Sequence, residues 1–170
     1  MVAGSGFAAC GGSSASSTTT TVTTGATGTP IGWLQNVAEP LNHKLNADQI
    51  AIDAASTSGT SGQTATFFSK LGQACHRMLS DAQHAQALPT APSAKLDSAW
   101  RSMADQTAAY ADRCITLSTS HSSADFTKWD DSLSAMNAAS AGFNAAVAAV
   151  RGTSAGGSST TTTTAAGAAG

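Results

Sequence analysis

Charge is missing from both ends of this chain. Its ten acidic and eight basic side chains all fall between Glu39 and Arg151, and both flanks are Thr, Ser, Gly and Ala. Charge is scarce even in the middle, because the total of 11% is less than half that of a typical soluble domain. No run of Lys or Arg occurs, the net charge is −2 and the pI is near 6.0. A nucleic-acid partner needs a basic stripe to displace counterions, so none is expected, and a polybasic membrane patch is excluded as well. No stretch of eighteen apolar residues is present, which we read as excluding a transmembrane helix. Val and Ile are few and no alternating apolar run appears outside the flanks, so strands are not expected.

The absences divide the chain. Residues 1–29 form a start and a Ser/Thr/Gly tether, 30–151 form one folded domain, and 152–170 form a Thr/Ala/Gly tail. Within 11–29 the only large apolar side chain is Val22, and Thr160 to Thr164 is a homopolymer run. Such segments bury too little surface to offset the entropy of ordering them, so disordered spacers are expected. Hydroxyl-rich stretches also read as O-glycosylated stalks, the plainer reading being a bare linker. The middle, about 120 residues, can bury roughly two thirds of its unfolded surface, enough to fold alone.

Four amphipathic helices can be read in the middle. The last is the clearest. Ser122 and Ser123 precede Asp125, which supplies a cap and an acid in the first turn. Phe126, Trp129, Leu133, Met136, Ser140, Phe143, Val147 and Val150 then recur at three- and four-residue steps, and Gly152 is expected to stop the helix. A second helix spans about Gln63–Gln86 with Phe68, Leu71, Cys75, Met78, Leu79 and Ala82 on one face. Pro89 and Pro92 break the pattern. Ser93 caps a third helix whose stripe is Leu96, Trp100, Met103, Thr107, Tyr110, Cys114 and Leu117, and Ser118–Ser120 end it. The first helix begins near Gly32 with Trp33, Val37, Leu41 and Leu45 at four-residue steps. It is expected to kink at Pro40 or to restart at the Asn46–Gln49 box, and to run to Ala55 before a loop at 56–62. Short connections between four such segments imply an all-α, up-down-up-down four-helix bundle.

Three Cys are present. Phe7-Ala8-Ala9-Cys10-Gly11 resembles a bacterial lipobox, in which small residues seat the backbone in a signal peptidase and the Cys thiolate accepts diacylglycerol. The resemblance implies lipidation at Cys10 and a membrane partner reached through the lipid anchor. Only nine residues precede Cys10 and none is basic, unlike a complete signal peptide. Either the true start lies upstream of Met1 or Cys10 matches by chance, and the tether that follows favours an upstream start. With Cys10 set aside, Cys75 and Cys114 remain as a pair on the core faces of two helices. In an exported protein they are expected to form a disulfide, the alternative being two free buried thiols. In a tight hairpin Cys75 would face a residue near position 104, so the Pro-containing loop must let the third helix slide by about ten residues, roughly 15 Å.

Chemistry is thinly spread. Four His occur, His43, His76, His84 and His121. His76 and His84, with Asp81 as a third ligand, are the nearest approach to a metal site. Surface His is the plainer reading, and no metal or other cofactor is expected. No G-x-S-x-G is present, Asp130 and Asp131 are adjacent and diverge on a helix, and nothing fixes Asp48 and Asp53 against His43. No enzyme is expected. Trp33, Trp100 and Trp129 read as core anchors, or alternatively as the lining of a pocket for a small apolar ligand.

The tether, Cys10, the Ala/Thr/Ser bias and the stretch Pro40-Leu41-Asn42 to Leu45-Asn46-Ala47-Asp48-Gln49, followed by Cys75 and Cys114, resemble uncharacterised secreted lipoproteins of actinobacteria. That family has no assigned activity. The resemblance implies a place on the extracellular face of the cell membrane, or secretion, and a binding or structural module whose partner is unknown.

Overall fold

The computed structural model describes residues 28–58 and 65–156. Among them are four helical rods and no strand, the all-α bundle expected. The first rod is composite: α1 (Pro30–Trp33), a π-helical stretch (Leu34–Ala38) and α2 (Glu39–Ser58) run on without a break. Then come α3 (Ala65–Gln86), α4 (Ala94–Ser120) and α5 (Ser123–Gly156). Rods adjacent in sequence pack side by side, and α1 closes the ring against α5. The tether, Cys10 and the tail beyond Gly156 lie outside the described residues.

The first rod starts where its chemistry allows. The Thr29 hydroxyl accepts from the Gly32 N–H at 3.1 Å, and Pro30 occupies a first-turn position that needs no donor. The helix runs on through Pro40 without a break, and it does not restart at Asn46. In α-helical spacing the Pro40 ring would strike the carbonyl four residues back. The chain widens one turn earlier instead, so that the Glu39 N–H bonds to the Leu34 carbonyl. The Asn36 side-chain amide donates to the Gly32 carbonyl at 2.8 Å. α2 also outruns Ala55, its last turn tied back by Ser56 Oγ to Ile52 O at 2.9 Å and Thr57 Oγ1 to Asp53 O at 3.1 Å.

The slide required by the two cysteines is present. Cys75 and Cys114 lie at disulfide distance with their Cα atoms 5.9 Å apart, and Gln86 at the end of α3 donates to Asp105 at 2.8 Å. The first turns of α4 therefore overhang the end of α3. The loop 87–93 folds back over that overhang. Asp97 accepts from the Ala91 N–H at 3.0 Å, Trp100 Nε1 donates to the Ala85 carbonyl at 2.9 Å, and Trp33 Nε1 donates to the Pro89 carbonyl at 3.0 Å. One turn from the bridge, a Cβ added to Gly72 would lie 2.8 Å from Ser118 Oγ, so glycine is what lets α3 and α4 approach there.

Between α4 and α5 the turn is two residues long. His121 takes the left-handed conformation (φ 54°) and its N–H caps the Leu117 carbonyl at 2.9 Å. Ser122 then caps α5, its hydroxyl accepting from the Asp125 N–H at 3.1 Å and donating to the Asp125 carboxylate at 2.9 Å. These bonds and Lys128 hold the Asp125 carboxyl at about 2, with a hydrogen bond from Ser120 as the largest cause. Gly152 does not stop α5, which continues to Gly156. An exposed glycine costs a helix only about 1 kcal/mol, and Thr153 Oγ1 bonds back to the Val150 carbonyl at 2.8 Å.

The core has two halves. One gathers Trp33, Leu41, Leu45, Trp100 and Phe143, and the other Ile52, Leu71, Cys75, Cys114 and Trp129. Thr107 falls between them on α4, buried and bonded to its own helix at Met103 O, 2.8 Å. All seven residues of the predicted α4 stripe are buried. The α5 stripe is looser, with Phe126 46% exposed. Although α5 holds no run of eighteen apolar residues, its Ala-rich stretch Ser123–Thr153 is long and apolar enough to cross a membrane, and only 17% of its most apolar window is buried in the bundle. Composition therefore does not support the exclusion drawn from run length.

Candidate functional site

The sequence-derived residues fall into separate places. Cys75 and Cys114 sit at 0% exposure in the second core half. Trp33 and Trp100 meet edge to face, with ring centroids 5.7 Å apart, and Trp100 packs likewise against Phe143 at 5.1 Å. Trp129 lies in the other half, 5.7 Å from Tyr110. The three indoles are thus split between two packed interiors and do not share a cavity. All four His are exposed. His84 Nδ1 lies 3.8 Å from Asp81 Oδ1, His121 stacks on Phe68 at 3.9 Å, and His76 joins neither. No group of three or more His, Cys, Asp or Glu among the described residues is placed to hold a metal ion. Asp130 and Asp131 are both exposed, and Asp53 accepts from Gln49 at 2.8 Å.

Two features go beyond the sequence reading, the burial of an acid that it left unassigned and a cleft at one pole. The first is Asp48, 8% exposed at the α2–α3 seam. Its Oδ1 lies 3.6 Å from Arg77 Nε, and its Oδ2 has no hydrogen-bond partner among the described residues. Burial pushes this carboxyl above its ordinary range, the Asp81 charge adds to that, and Arg77 pulls the other way. In sequence Asp48 reads as part of a helix-start box, whereas in the structure it lies inside α2 and is buried. A pKa raised in the folded state favours folding below the ordinary carboxylate pKa, and that contribution is lost as pH rises through the raised value. We therefore expect the urea midpoint of Asp48→Asn to gain on the parent protein between about pH 4 and pH 7. A gap that stays constant across that range would mean that Asp48 is not the titrating group.

The second feature is a cleft of about 390 Å³ at one pole of the bundle. The start of α1 (Thr29, Pro30, Ile31), the start of α4 (Ser93, Lys95, Leu96) and the last turns of α5 (Ala146, Ala149, Val150, Thr153) line it. It opens where large side chains give way to Ala at 146 and 149. Lys95 is its one charge, and no acid lines it. Its volume is within the range of small-ligand sites, and its walls are aliphatic where the sequence suggested aromatics.

The chain matches no known family model, no curated protein and no solved structure. Its functional reading therefore rests on its own residues.

Proposed function

We propose that this protein is an exported four-helix domain, held at the outer face of a cell membrane by a lipid on Cys10, and that it acts there as a binding or structural module. The observation that carries this reading is the placement of Cys75 and Cys114 within disulfide distance of each other, deep between α3 and α4. Such a bridge persists in oxidising compartments and is rare in reducing ones. The Ser/Thr/Gly stretch after Cys10 gives the domain reach from the surface. The dispersed His and Asp residues favour a module over an enzyme. Expression from the native locus followed by membrane fractionation tests the tether. The protein should partition with membranes, and Cys10→Ala should release it into the medium. A Cys10→Ala protein that stays membrane-bound would rule out the lipid anchor. A second reading, a carrier of a small apolar ligand, is favoured by the cleft beside Ile31, Leu96 and Val150 more than by the buried indoles.

A further inference from the structure

We propose that the cleft between the starts of α1 and α4 and the end of α5 binds a fatty acid, its alkyl chain against Ile31, Leu96, Ala146 and Val150 and its carboxylate beside Lys95. This rests on the reading of the domain as a tethered binding module and names the ligand class.

Three observations carry it. The cleft, about 390 Å³, is walled by aliphatic side chains, which suits a flexible hydrocarbon. Its charge is of one sign: Lys95 is exposed, makes no ion pair among the described residues, and faces no acid in the lining. The other cations near this pole are already engaged, Arg101 with Asp97 at 2.9 Å and Arg151 with Glu39. An apolar trough with one uncommitted cation selects an apolar body with an anionic end. The third is position. Thr29, at the entry of the described chain, and Thr153, near its exit, both line the cleft. The cleft therefore lies at the pole where the described chain enters and leaves the bundle.

Isothermal titration of the full-length chain in membrane-free buffer tests the proposal, with dodecanoate, dodecanol and dodecyltrimethylammonium as probes below their micellar concentrations. Dodecanoate should bind saturably at one site per chain and at least about tenfold tighter than the trimethylammonium probe. Lys95→Glu should weaken dodecanoate by about tenfold and leave dodecanol within about twofold. Ala149→Trp, which fills the cleft from an exposed position, should abolish binding of both. Thr153→Trp provides a second block from the same helix, and unchanged thermal melts establish that each variant is folded. Equal affinity for the anionic and cationic probes, absence of saturable binding, or full binding in the Trp variants would overturn the proposal. Cys10→Ala is silent in this titration, so a failure here leaves the tether standing, and a failed tether leaves this result intact.

Discussion

Replacing Cys75 and Cys114 with Ser is expected to lower the stability of the oxidised domain by about 4 kcal/mol. The bridge spans a sequence separation of 39, and removing that much loop closure from the unfolded chain gives this figure in the chain-entropy model. Both sulfurs lie at 0% exposure, so two buried hydroxyls add to the loss. For a domain of about 120 residues the thermal midpoint should fall by roughly 15 °C. Reducing agent should reproduce much of the shift in the parent protein and none of it in the double Ser variant. Melts followed by circular dichroism, with and without reductant, check this. A double variant that melts within about 3 °C of the parent would show that helix packing, and not the cross-link, holds α3 against α4.

Trp100→Ala should cost about 4 kcal/mol, in the range for large aromatic truncations in a close-packed core. Trp100 is 1% exposed and ties four segments together. Its ring meets Trp33 of α1 and Phe143 of α5, and its Nε1 donates to the Ala85 carbonyl at the end of α3. Trp100→Phe keeps most of the ring contact but leaves that carbonyl with only the longer bond from the Leu88 N–H at 3.4 Å, and it should cost about 1–2 kcal/mol. Urea unfolding of the two variants separates packing from the hydrogen bond. If the Phe variant loses as much as the Ala variant, the bond to Ala85 matters most and the aromatic cluster is secondary.

The parts of the fold that the sequence made legible are those with strong local rules. Seven core positions on α4 follow from a three- and four-residue rhythm that nothing interrupts, and the caps at Ser93 and Ser122 follow from hydroxyls placed before it. The errors lie where two local rules compete. Pro40 argues for a break, but a π-turn upstream absorbs it, and Trp33, Leu41 and Leu45 stay buried together along one continuous rod. Gly152 argues for a stop, and its modest penalty loses to the continuing helix.

The candidate cleft was hidden for a different reason. Its walls come from three segments far apart in sequence, and its defining feature is the smallness of Ala146 and Ala149 opposite Ile31 and Leu96. Periodicity marks where large side chains point, and it carries no signal for a space left by small ones. Asp48 was hidden likewise, because its burial depends on the register of α2 against α3.

Thr29 and Thr153 border the same hollow, so the first and last rods have their free ends side by side. Tension applied through those ends acts at a single pole. It prises the outer rods apart turn by turn, starting from Pro30 and Val150, without shearing the whole length of the seam at once. The disulfide joins the two inner rods and lies off that line of load, so a pull strong enough to open the outer pair would still leave α3 and α4 clasped.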